Sequence, residues 1–255
     1  MSTNAELLAR RNAAVVRGIG HATPLFADRA ENSEVWDVEG RRYVDFAGGI
    51  AVLVLLRRPG FGVAAGSLAL LSAGVLSAQY LLAFLAARTM HLSTGATGTA
   101  LLALPAATAV AALAAARLPA TVPPARVSAL GFAVIAAGAT AALAVTAFPG
   151  LVLVALVIGL GQGLANMPAT HFAMDLAGDA APGSTGATMS LLRNLGTTVG
   201  PACVSAIWGG LGYTAASMSA ALLASGAFAL GGAGLILLAG RADGRAPQSA
   251  TARAA

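Results

Sequence analysis

Between residues 60 and 240 the chain carries only six charged side chains: Arg88, Arg117, Arg126, Asp175, Asp179 and Arg193. A water-soluble domain has about a quarter of its residues charged, so this stretch cannot cover itself with a polar surface. Lipid is the solvent it fits. The whole chain is 57% hydrophobic and 10% charged, with a mean hydropathy of +0.78. Its charge is gathered at the other end. Residues 1–45 hold six arginines and seven carboxylates, from Glu6 to Asp45.

A bilayer core takes about 20 apolar residues per helix. Six runs meet that length: Phe61–Ala87, Gly95–Leu118, Ala129–Phe148, Gly150–Met174, Gly186–Gly210 and Thr214–Ala239. Turn chemistry separates them, as in "RTMHLST", "PATVPPARVS", Pro149–Gly150, "DLAGDAAPGST" and "GLGY". A shorter run, Phe46–Leu56, has 11 residues and cannot span. The arginines set the orientation. With residue 60 in the cytoplasm, the inner side holds Arg57, Arg58, Arg117, Arg126, Arg241, Arg245 and Arg253, and the outer side holds Arg88. Both termini are then cytoplasmic, in a multi-pass protein of the inner or plasma membrane, and Trp208 and Tyr213 meet the outer interface. The first twenty residues lack the apolar core of a signal peptide.

Other function classes find little support. The single cysteine, Cys203, permits neither a disulfide framework nor a cysteine metal site. A pI near 10.6 is compatible with nucleic acid, but the arginines are scattered at the ends of apolar runs and no binding motif accompanies them. Nucleic acid is therefore not expected as a partner; the bilayer is. The glycines of "GLGQGLANMP" do not make G-x-G-x-x-G and stand in no soluble βαβ unit. No cofactor or metal ion is expected.

Polar residues inside apolar spans are costly and usually face protein or a cavity. Gln79, Gln162, Asn166 and Asn194 are the candidate cavity-lining residues. Gln162 and Asn166, at i and i+4, share a helix face on which they could line a cavity or hold a neighbouring helix. Arg193, about two turns inside its run, is read as a structural or interface charge able to snorkel. His171 lies near the inner interface, and Pro168 is expected to bend its helix. Gly159, Gly163, Gly196, Gly200 and Pro201 are candidates for helix packing, because small residues spaced by four let backbones approach in lipid.

Taken in order, the six runs resemble the C-terminal half of a major facilitator superfamily transporter of the drug-antiporter kind. The resemblance rests on "LALLSAGVLSAQYLLAFL", "GTALLALPAA", "GLGQGLANMP" and "GATMSLLRNLGTTVGPACVSAIWGG", and covers residues 57–240. One departure is Gly196-Thr197, where the family pattern has a second Gly-Gly. The resemblance implies an all-α membrane protein with six transmembrane helices, half of a bundle that transports by rocking against a second half. The partner would be a separate N-terminal half or a second copy. No carboxylate falls inside the six runs, since Asp175 and Asp179 are placed in a loop, so proton coupling would need groups from elsewhere.

The first 56 residues read differently. "ARRNAAV" and "ADRAENSEVWDVEGRRYVDFAGGIAVL" resemble the start of class III, 4-aminobutyrate-type aminotransferases. The likeness stops near Leu53. Read by its alternation, "EVWDVEGRRYVDFAGG" makes a small hairpin with Glu39-Gly40 in the turn. That family binds pyridoxal phosphate on a lysine, and all fifteen basic residues here are arginine. On this ground the chain is expected not to be an enzyme. Residues 241–255 are expected to form a disordered cytoplasmic tail. The readings in play are half of an efflux-type transporter, a chimeric or truncated product with an aminotransferase-like N-terminus, and an aminotransferase-related protein anchored to the membrane.

Overall fold

The computed structural model describes residues 3–14, 25–31, 34–44, 56–58, 60–118, 122–178 and 182–243. Most of the short run Phe46–Leu56, Asp179 and the tail from residue 244 lie outside them. Two units are built from these residues, an N-terminal arm and a helical domain.

The arm begins with α1 (Asn4–Ala14), followed by strands β1 (Ala27–Glu31), β2 (Glu34–Asp37) and β3 (Arg42–Val44). The strands form one antiparallel sheet in the order β1-β2-β3. In β2–β3, Val35 faces Tyr43 and Trp36 faces Arg42. The expected hairpin is present, and its turn works because Gly40 takes a φ of +79° that other residues rarely adopt. The third strand and the helix are additions that periodicity did not show. β1 is short and bulged between Ala27 and Arg29. Its Arg29 guanidinium stacks over Trp36 at 4.1 Å from the ring centroid.

The helical domain contains α2 (Phe61–Phe84), α3 (Thr94–Leu101), α4 (Ala103–Ala116), α5 (Pro124–Ala141), α6 (Phe148–Ala177), α7 (Pro182–Gly210) and α8 (Ala215–Asp243). Ser93 starts α3 by accepting a hydrogen bond from the Ala96 N–H. The break between α3 and α4 follows from Pro105, which has no N–H to offer the Leu101 carbonyl. A π-helical turn, Leu85–Thr89, extends α2, and the chain then turns at His91, whose φ is +52°.

Among the described residues, five helical segments are long and apolar enough to cross a membrane: Phe61–Thr89, Thr94–Ala116, Pro124–Ala144, Phe148–Ala177 and Ala215–Ala242. Five of the six expected spans are supported in this way. The sixth run is the 29-residue helix α7, long enough but diluted by Arg193, Asn194, Thr197, Thr198 and Pro201. Two boundaries also move. Helix α6 continues past Met174, so Asp175 is exposed on its last turn and not in a loop. Helix α8 runs to Asp243, so residues 241–243 are helical and not part of a tail.

Packing is organised around α2 and α6. Helix α2 lies against α6, α7 and α8, whereas α6 lies against α2, α4 and α5; α5 and α8 meet each other. Phe61, Leu68, Phe132, Ile135, Ile158 and Ile236 are fully buried between them. The same end of the domain brings together the start of α2 and the end of α6, where the Arg58 guanidinium donates to the Ala177 carbonyl. That contact satisfies a helix C-terminus with a positive charge.

Candidate functional site

The helices approach closely where they lack side chains. An ideal Cβ on Gly196 would stand 2.0 Å from the Ala69 carbonyl oxygen, and one on Gly200 would stand 2.6 Å from Ala73 Cα. These two glycines seat α7 on α2. Gly159 and Gly163 do the same for α6 on α4, where a Cβ would come within 2.2 Å of the Leu104 oxygen and 2.4 Å of the Thr108 oxygen. Close approach brings short polar side chains into reach across helices. The Thr108 hydroxyl lies 3.1 Å from the Gly159 carbonyl and 3.2 Å from Gln162 Oε1. Gln162 thus touches α4 through Thr108.

Beside the α2–α7 seam opens a groove of about 520 Å³, whose walls include Leu76, Gln79, Tyr80, Leu101, Thr197 and Pro201. Its polar groups are an amide, a phenol and a hydroxyl. Thr197 donates to the Asn194 carbonyl at 2.8 Å, which leaves its oxygen free to accept. The Tyr80 hydroxyl oxygen accepts from Ser205 at 3.0 Å. Among these walls there is no carboxylate, and no group of metal-ligating side chains occurs among the described residues. The groove can hold a small, largely apolar molecule and orient it by hydrogen bonds.

The expected polar residues therefore do not converge. Gln79 and Pro201 line the groove. Asn194 is exposed on the outer face of α7, and the Asn166 carbonyl accepts from the Thr170 hydroxyl. Gln162 lies on the far side of α6, against α4. Arg193 does not reach for the helix end: its guanidinium donates to Thr170 Oγ1 on α6, and its Nε is buried without a partner. Thr108 and Thr170 were missed because a threonine on an apolar helix usually bonds its own preceding turn, and only the neighbouring helix gives either a second role.

At the end of the bundle opposite Arg58, the π-turn presents Arg88 to three rings. Its guanidinium carbon stands 5.9 Å from the Phe84 centroid, 5.5 Å from that of Trp208 and 5.8 Å from that of Tyr213. Phe84–Trp208 and Trp208–Tyr213 are edge-on pairs, each at 5.1 Å.

In the arm the organising group is Asp37, which is 2% exposed. Its carboxylate accepts from the Asn4 amide at 2.9 Å, the Arg41 N–H at 2.8 Å, the Glu39 N–H at 3.0 Å and the Tyr43 hydroxyl at 3.1 Å. Asn4 in turn accepts from the Phe26 N–H at 2.7 Å. Burial pushes the Asp37 carboxyl up, but the hydrogen bonds from Arg41, Asn4 and Tyr43 and the Arg41 charge outweigh it and hold the group below its ordinary value. Tyr43 is raised by burial and by Asp37 beside it.

This arm carries the comparison with known proteins. The chain is 66% identical over 53 residues to the 4-aminobutyrate aminotransferase GabT of Escherichia coli (strain K12). It is 71% identical over 51 residues to the 5-aminovalerate aminotransferase DavT of Pseudomonas aeruginosa, and 63% identical over 51 residues to that of Pseudomonas putida. The N-terminal fifty residues match class III aminotransferases. The matched stretches are 20–21% of this chain, which spans 12% of the length of these relatives. No protein-family model matches the chain.

These matches overturn the expectation that the chain is not an enzyme, because identity this high ties its N-terminal fifth to the start of aminotransferases. The earlier expectation rested on the missing lysine, which is a property of the cofactor's anchor and not of the arm. The anchor is still missing: with no lysine in 255 residues, the donor set does not fit pyridoxal phosphate.

Proposed function

We propose that the helical domain is one half of a major facilitator-type transporter, moving small molecules along the groove at Gln79 and Thr197 when a second half covers it. The observation that carries this reading is the packing pattern. Exchanging α2, α4 and α5 with α6, α7 and α8 turns the α2–α7 and α2–α8 contacts into α6–α4 and α6–α5, and returns α2–α6 and α5–α8 to themselves. Among the larger contacts, α7–α8 alone lacks a counterpart. Helices α2 and α6 run in opposite directions, since the start of one meets the end of the other at Arg58. Two inverted three-helix repeats are the plan expected of one half of such a transporter. The polar stretch of α7 supports the same reading, because Asn194 and Thr198 are exposed on it and hydroxyl and amide groups are poorly tolerated against lipid.

With α7 as the sixth crossing, the arginine asymmetry favours both termini of the domain in the cytoplasm. Reporter fusions after Arg126 and after Arg245 should both report cytoplasm, and a periplasmic signal from either overturns that topology. Transport by the chain alone is not expected. Proteoliposomes holding only this chain, under an imposed pH gradient, should show no uncoupler-sensitive dye efflux. Efflux should appear when a complementary half is co-reconstituted, and Gln79→Leu should then reduce it. Uncoupler-sensitive efflux by the chain alone would show that the half is self-sufficient.

The aminotransferase match favours a second reading, in which the folded arm is supplied to an aminotransferase whose lysine is on another polypeptide, held at the membrane by the helices. Co-expression with a complete class III aminotransferase tests it. Transaminase activity should move to the membrane fraction, and activity confined to the soluble fraction removes this reading.

A further inference from the structure

A second cavity, of about 380 Å³, lies between the end of α4, the start of α5 and α6. Its walls are apolar and include Ala116, Leu118, Val127, Met167 and Pro168, with His171 as the polar exception. It is at the end of the bundle that carries Arg57, Arg58, Arg117, Arg126 and Arg241, against two carboxylates among the described residues, Asp175 and Asp243. Arg117 stands between the wall residues Ala116 and Leu118 in the chain, and Arg126 immediately precedes Val127. Both arginines are exposed, and neither has an ion pair among the described residues. Helix α8 adds Arg241 beside this site, because Gly240 packs against Ala125.

We propose that this cavity is a binding site for an anionic phospholipid, with an acyl chain between α4, α5 and α6 and the phosphate held by Arg117 and Arg126. The two halves of the ligand explain the two halves of the site. An apolar slot open to the side of a membrane helix bundle fills with hydrocarbon at little cost, whereas two unpaired guanidinium groups at the level of the headgroups favour a phosphate. A neutral zwitterionic lipid would occupy the slot but not neutralise the arginines. A soluble phosphate would meet the arginines but leave the slot empty. His171 sits at the rim, one helical turn before Asp175 on α6, and can donate a further hydrogen bond to the headgroup. This inference needs only that the helices lie in a membrane and is independent of transport.

The test uses the full chain in nanodiscs of phosphatidylcholine containing about one-fifth phosphatidylglycerol, with retained lipid counted by native mass spectrometry. Phosphatidylglycerol should be enriched over its share of the bilayer. The double substitution Arg117→Gln, Arg126→Gln should lower its affinity about thirtyfold, from roughly tenfold or less for each arginine near a membrane surface. Ala116→Phe, which fills the slot, should lower retention of both lipids. Arg88→Gln, at the opposite end, should change nothing. The two arginines are exposed, so their double variant should keep the parent's unfolding temperature, and its result stands even where Ala116→Phe fails to fold. Equal retention of the two lipids overturns the proposal, as does an unaffected double variant. Displacement of the lipid by glycerol phosphate alone would assign the site to a free phosphate instead.

Discussion

Replacing Gly196 by alanine is expected to lower the thermal unfolding midpoint of the purified protein by about 2 to 12 degrees. The added methyl would fall 2.0 Å from the Ala69 carbonyl oxygen, 2.8 Å from its carbon and 3.0 Å from its Cα. All three are backbone atoms of α2, so no side chain can turn away and the helices must separate. Overpacking a tight contact costs about 1–3 kcal/mol, and each kcal/mol is worth about 2–4 degrees in a domain of this size. Gly159→Ala should behave similarly, and it should also pull Thr108 out of reach of the Gly159 carbonyl and Gln162. Gly98→Ala is the control, since nothing stands within 4 Å of the Cβ it would acquire. Tryptophan fluorescence in detergent during heating reads all three variants. If Gly196→Ala melts with Gly98→Ala, the seam is not the close contact described.

Acid should open the N-terminal arm before it disturbs the helices. Asp37 is buried, and its pKa in the folded arm is held below the ordinary carboxylate value by hydrogen bonds from Arg41, Asn4 and Tyr43. A lowered folded value means that the stabilisation is fully present above the unfolded value of about 3.9 and is lost as pH falls through the folded one. The expected record is a flat signal from neutral pH down to about pH 4, then a loosening of the arm as pH falls further. Trp36, stacked under Arg29, is the natural reporter once Trp208 is replaced by phenylalanine. Asp37→Asn keeps the shape but removes the charge and one acceptor. In that variant the arm should be looser at neutral pH and the acid transition should disappear. An unchanged transition in Asp37→Asn would mean that another carboxylate governs the arm.

Much of the helical domain was legible in the chain itself because its cause is local. Hydropathy over about twenty residues separates lipid-facing chain from loop, and Pro, Gly and short polar clusters mark the breaks. Two places show its limit. Helix α7 has the length of a span, but Arg193, Asn194, Thr197, Thr198 and Pro201 leave it less apolar than the other five. Helix α6 was ended at Met174 because Asp175 looked like loop, whereas a charged side chain on a last turn can point into water without ending the helix. The arm shows the same division. Alternation revealed the β2–β3 hairpin, yet β1 is too short and bulged for its period to show.

The amino-acid sequence by itself determined the apolar runs, the helices long and apolar enough to cross a membrane, the arginine asymmetry and the aminotransferase-like string at the N-terminus. Each follows from composition within a window, or from identity along a line. Tertiary structure alone decided which residues meet. It placed Gln79 with Thr197 and Pro201, set Gln162 against Thr108, joined Arg193 to Thr170 and tied Asn4 to Asp37, across 33 residues of chain. The physical reason is that a helix presents every side of itself to the sequence equally. Which side becomes a seam, a groove or an exposed face depends on the neighbour that the glycines let in.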